Sequence, residues 1–166
     1  MTHRALAPEA EAPSITDDVV VPPPARVRRR RRPRVLVVDR ATLIRSLYSA
    51  HLRHAGFDVQ EAEDGFEALV RAVARRPDAI VMDVAAPRLD GWELTRRLKA
   101  AAATRDIPII AVGAHDARRA CAPALEAGCV ACLPRPCRPE DVRAEVERQL
   151  DRHRPRPRRR GRAGRV

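Results

Sequence analysis

From residue 34 onward the chain alternates short apolar runs with longer stretches of helical period. Val35-Leu36-Val37-Val38 is a continuous apolar run, as expected of a strand covered on both faces. Over 41–55, Leu43, Ile44, Leu47, Tyr48 and Leu52 recur at helical spacing, and Gly56 follows as a stop. Phe57-Asp58-Val59 predicts a short second strand, and 65–76 a helix with Phe66, Leu69, Val70 and Val73 on one face. Ala79-Ile80-Val81-Met82 predicts a third strand ending at Asp83. A helix over 91–103, a strand over 107–112, a helix near 116–127 stopped by Gly128, a weak strand over 130–133 and a helix over 139–150 complete the series. Five strands alternating with five helices predict an α/β fold, a doubly wound parallel sheet with right-handed crossovers on both faces.

Composition changes this picture in two ways. Aromatic residues are only 2% of the chain, so the core must be built from Val, Ile, Leu and Ala. The net charge of +11 lies outside the periodic region: residues 1–34 hold eight Arg and four acids, and residues 152–166 hold eight Arg and no acid. Residues 35–151 are close to neutral, with 17 Lys and Arg against 18 acids. The basic isoelectric point therefore says nothing about the domain's own partners. Residues 1–33 and 152–166, rich in Pro and Arg without apolar period, are predicted to be disordered tails around a domain over 34–151. No apolar run approaches the ~20 residues of a membrane span, and no secretory signal is visible. Cytoplasmic location and four reduced cysteines are the expectation.

In an open parallel sheet, ligands bind beyond the carboxyl ends of the strands, where strand order reverses. Asp39-Arg40 follows the first strand, Asp83 the third, Gly113-Ala114 the fourth and Arg135-Pro136 the fifth. Two carboxylates, two guanidiniums and a glycine turn thus converge on one crevice. A lone Asp after a strand is more often a cap or turn residue; the joint placement argues for chemistry.

The run Val35-Leu36-Val37-Val38-Asp39, the stretch from Val81 through Asp83, Pro87 and Asp90-Gly91, and the segments Ile107-Pro108-Ile109-Ile110-Ala111-Val112, Leu125-Glu126-Ala127-Gly128 and Leu133-Pro134-Arg135-Pro136 carry a further signal. Together, in this order, they resemble the receiver domain of two-component response regulators. The resemblance implies a flavodoxin-like (βα)5 fold with strand order 2-1-3-4-5. It makes Asp83 the phosphoacceptor, forming an aspartyl phosphate with a histidine kinase or phosphotransfer protein as donor in a phosphorelay. It also implies a Mg²⁺ site at Asp39, Asp83 and the Ala85 backbone carbonyl, with Arg135 and the Ala114 backbone N–H at the phosphoryl oxygens. The resemblance implies a signalling module rather than an enzyme, passing its signal to a downstream protein through residues 116–150. Because the tails outside 34–151 show no pattern that can fold, a stand-alone receiver without an output domain is the expectation.

Four positions depart from the family pattern. Arg40 stands where the family has a second acid, Gly113 where it has a hydroxyl residue, Cys132 where it has an aromatic switch, and Arg135 where it has lysine. A guanidinium at Arg40 near Asp39 and Asp83 competes with a divalent cation, which predicts a weak or absent Mg²⁺ site; the alternative is that Arg40 points outward and a weak metal site persists. Pairing of Arg40 with Asp83 gives the alternative of a phosphorylation-independent pseudo-receiver that acts as a binding module. Cys129 and Cys132, with Cys121 and Cys137 nearby, invite a zinc reading, but an offset of three along a strand sends the two side chains to opposite faces. His51 and His54 read as solvated. The runs Arg28 to Arg32 and Arg156 to Arg160 admit salt-sensitive nucleic-acid binding, with a solvated tail as the favoured reading.

Overall fold

The computed structural model describes residues 31–84, 91–113 and 117–153, with the side chains of 117–120 excepted. Ala85, Ala114 and nearly all of both predicted tails lie outside the described residues. The elements are β1 (Arg34–Val38), α1 (Thr42–His54), β2 (Asp58–Ala62), α2 (Gly65–Arg75), β3 (Ala79–Asp83), α3 (Gly91–Ala100), β4 (Ile109–Gly113), α4 (Ala117–Ala127), β5 (Ala131–Pro134) and α5 (Pro139–His153). All strand pairs are parallel, in the order β2-β1-β3-β4-β5. The predicted fold and strand order are those observed.

The central strands explain the order. Nearly every residue of β1, β3 and β4 is buried, as continuous apolar runs require when helices cover both faces. One side of the sheet carries Leu36, Val38, Ile80, Met82, Ile109 and Ala111 against α2, α3 and α4. The other carries Val35, Val37, Val81, Ile110 and Val112 against α1 and α5. Each of the larger side chains contributes about 1.5–3 kcal/mol by its burial. Gly91 opens α3 hard against β3: a Cβ there would lie 3.0 Å from the Val84 Cα.

Helix α2 reverses the expected orientation. Its N-terminus is capped, with the Asp64 carboxylate accepting the Glu67 N–H at 2.8 Å and Glu67 accepting the Glu63 N–H at 2.9 Å. Yet Gly65, Ala68 and Ala72 face the sheet, while Phe66, Val70 and Val73 are 62%, 53% and 50% exposed. Small residues let the helix lie close to β1 and β2, and the large apolar side chains are turned out. On α1, Tyr48 and Leu52 are buried, whereas Leu43 and Leu47 are exposed.

At the end of the sheet away from the strands' carboxyl termini, Asp78 fixes the start of β1. Its carboxylate takes two bonds of 2.8 Å from the Arg31 guanidinium and one of 2.7 Å from the Arg34 N–H. At that same end, Pro33, Gly56 and Phe57 line a cavity of about 280 Å³ with Leu150 and Asp151 of α5. Among the described residues no helix is long and apolar enough to cross a membrane.

Candidate functional site

Three elements bring the site together. Asp39 leaves β1 with its N–H bonded to the Ala62 carbonyl at 3.1 Å and its side chain 2% exposed as a residue. Asp83 is the last residue of β3 and 9% exposed. Arg135 follows β5, its N–H donating to the Gly113 carbonyl at 3.1 Å, and a cis peptide joins it to Pro136. The Arg135 Nη2 lies 2.7 Å from Asp39 Oδ2 and 3.5 Å from Asp83 Oδ2, so one guanidinium bridges both carboxylates. Burial works against the charge on Arg135, but Asp39 and Asp83 more than offset this and hold its pKa above the usual guanidinium value. Half-buried charges so arranged stabilise one another, and removing one exposes the cost of burying the rest.

The second oxygen of Asp39 is also engaged: Oδ1 accepts the Ala41 N–H at 2.8 Å. This turn carries Arg40 to the outside, where it is exposed and makes no ion pair with either carboxylate. The expectation that Arg40 is the cation against Asp39 and Asp83 is therefore corrected; Arg135 holds that place. Two further residues support the cleft: Arg45, which the sequence does not single out, and Tyr48, which it marks only as an apolar position of α1. The Arg45 guanidinium donates to the Asp39 carbonyl and pairs with Glu61 at 3.4 Å. The Tyr48 hydroxyl donates to the Cys137 carbonyl at 3.0 Å, and burial is the main cause raising its pKa. Neither position carries a sequence signal for this role, because each depends on how α1 turns above β1.

Next to the cleft, Gly113 is buried at the end of β4, so no side chain stands at that position. Cys132 faces Ala111 across the sheet and is joined to Cys121 of α4 by a disulfide, their Cα atoms 5.5 Å apart. This corrects the expectation of four reduced thiols: α4 lies along β5 at a separation a disulfide spans without backbone movement. Cys129 precedes β5 instead of lying on it, and its thiol is buried on the same side of the sheet as Cys132, 3.6 Å from the Thr95 hydroxyl. The opposite-face argument is thereby corrected. Among the described residues no group of His, Cys, Asp and Glu is arranged to hold a metal. The histidines differ: His54 is exposed, whereas His51 is half-buried with its Nε2 lacking a hydrogen-bond partner.

Paired carboxylates at the β1 and β3 ends, bridged by a cation from the β5 end, place one anionic pair and one counter-charge at the switch point of the sheet. The sequence profile described as "Response regulator receiver domain" matches residues 35–147. The chain belongs to this family.

As a receiver domain, it is a module of two-component signalling. Response regulator MprA of Mycobacterium avium is 38% identical over 122 residues, covering 74% of this chain and 53% of that protein. MprA of Mycobacterium leprae is 37% identical over 122 residues, with the same coverage. The chain spans about half the length of the curated relatives it matches. Among solved structures, the chemotaxis response regulator CheY4 of Vibrio cholerae gives a TM-score of 0.67 at 28% identity, covering 71% of this chain and 98% of that one. The receiver domain of sensor histidine kinase PA1611 from Pseudomonas aeruginosa, solved with magnesium coordinated in its active site cleft, gives 0.66 at 30% identity, covering 72% of this chain and 98% of that one.

The donor set here does not fit Mg²⁺ as that comparison suggests it should. Mg²⁺ takes an octahedron of oxygens, with one or two carboxylates that must be free to coordinate it and waters completing the shell. In this receiver both Asp39 oxygens are already engaged, one guanidinium touches both acids, and the residue after Asp39 is an outward-facing arginine. Residue 85, whose carbonyl the family pattern would offer, is outside the described residues.

Proposed function

We propose that Asp83 accepts a phosphoryl group from a histidine kinase or phosphotransfer protein, as a receiver in a two-component phosphorelay. The observation that carries this reading is the Arg135 guanidinium, 3.5 Å from Asp83 Oδ2 and 2.7 Å from Asp39 Oδ2. An Asp83 oxygen attacks phosphorus, the P–N bond of the phosphohistidine breaks, and a P–O bond forms the aspartyl phosphate. The departing imidazole keeps the electron pair of the broken bond. Charge gathers on the equatorial oxygens during this transfer, and a planar cation with several donors is suited to receive it. Arg135 moves from carboxylate to phosphoryl oxygen, and Asp39 keeps it aligned. The Ala114 N–H supports another oxygen in this reading.

Leu43 and Leu47 extend the reading to the donor. They lie on the first turns of α1, just beyond Asp39, and Leu43 is 80% exposed. An apolar edge beside the cleft suits a helical donor that must bring its phosphohistidine to Asp83. Output leaves through α4, β5 and α5, within residues 116–150, by contact with a downstream protein. A hydroxyl–aromatic relay is not part of this route, since Gly113 and Cys132 occupy the two positions.

Intact-mass analysis after incubation with a small acyl phosphate, and separately with the cognate kinase, tests the proposal. A phosphate adduct on the parent but not on Asp83→Asn is expected. A folded protein that takes no phosphoryl group from either donor overturns it. That outcome supports the second reading, a phosphorylation-independent binding module held by the Arg135 bridge to both acids.

A further inference from the structure

The outward stripe of α2 is an exposed apolar feature that the cleft does not use. Phe66, Val70 and Val73 occur at spacings of four and three, which align along one face at 3.6 residues per turn. Contiguous apolar surface on a helix marks a contact surface. Its two ends carry opposite charge. At the N-terminal end a cavity of about 480 Å³ opens beside Phe66, lined by Glu61, Glu63, Asp64 and Glu67 against Arg45 and Arg71. At the C-terminal end stand Arg75 and Arg76, both exposed, and neither side chain meets a carboxylate among the described residues.

We propose that α2 is a self-association surface, pairing antiparallel with α2 of a second copy of this chain. An isologous contact requires that residue i meet residue j while j meets i. Aligning Phe66 with the partner's Val73 achieves this, and brings Val70 close to its own counterpart at the two-fold axis. The same alignment sets the C-terminal end of each helix, with Arg75 and Arg76, alongside the acidic cavity at the N-terminal end of the other. Along one flank, Glu67 of each copy faces Arg71 of the other, so their existing pair becomes part of a four-charge cluster. Antiparallel helices also oppose their macrodipoles favourably. A parallel arrangement would set like charges together at both ends. A second copy is thus the occupant whose charge pattern this face matches by construction. One helix face is a small interface, so the dimer is concentration-dependent.

Sedimentation equilibrium of the full chain at about 150 mM salt, where screening acts beyond ~8 Å, tests this. The parent is expected to show a reversible monomer–dimer equilibrium. Val70→Asp raises the dimer dissociation constant at least roughly tenfold, since it sets two charges at the axis. Val70 is half exposed, so this variant keeps its fold, which circular dichroism checks. Glu63→Arg alone and Arg75→Glu with Arg76→Glu each weaken the dimer, and combining all three restores it. A parent that stays monomeric at every concentration overturns the proposal, as does a dimer unaffected by Val70→Asp or a triple variant that fails to recover.

Discussion

The cleft at the ends of β1 and β3 and the neighbouring edge formed by β4, β5 and α4 have diverged differently. In the cleft the charges needed to receive an anion are present and in contact: Asp39, Asp83 and Arg135. At the edge, the parts that would report its arrival are replaced, with Gly113 lacking a side chain and Cys132 tied to Cys121. Under the proposed function, the difference makes accepting a group and broadcasting its arrival separable properties of this fold. The first depends on three side chains at strand ends. The second depends on a side chain free to change rotamer, and a disulfide-bonded cysteine has no such freedom.

The most severe way to break the comparison is Asp83→Asn, which should abolish the phosphate adduct completely by intact mass while leaving the edge intact. Next, Arg135→Gln removes the bridging cation, and phosphorylation by acyl phosphate should slow roughly 100-fold, as when one preorganised donor to a developing anion is lost. Cys132→Ser should act on the edge alone. It should cost about 2–3 kcal/mol in denaturant unfolding, from the short loop the bond closes, and leave the adduct unchanged. A thiol assay on denatured, unreduced protein should find two reactive groups per chain, Cys129 and Cys137, instead of four. The smallest effect expected is that of Arg40→Asp. Residue 40 is exposed and points away from both acids, so Mg²⁺ affinity measured by calorimetry should change by less than about threefold.

Much of this was legible in the sequence, and the reasons are specific. The runs Val35–Val38 and Ala79–Met82 admit only strands buried on both faces, and their order with five helical segments leaves few alternatives to the observed sheet. Asp39 and Asp83 were legible because the ends of parallel strands are where such a fold binds ligands. Three features were not. Arg40 is next to Asp39 in the chain, but the turn onto Ala41 points it away, while Arg135, 96 residues later, reaches in. Helix α2 has two apolar faces, Ala68 with Ala72 and Phe66 with Val70 and Val73, and periodicity does not say which one the sheet accepts. Cys121 and Cys132 are 11 residues apart on different elements, and their pairing exists only once α4 lies along β5.

Asp78 and the cavity between Pro33 and Leu150 have a consequence for how this domain can be mounted. The carboxylate of Asp78 fixes the incoming chain at the base of β1, and α5 ends beside it. Entry and exit therefore share one pole, and Asp39, Asp83 and Arg135 occupy the opposite one. A domain with neighbouring ends can be inserted into another chain as a removable cartridge. Held by its base in this way, it would keep its working pole clear of its own attachment.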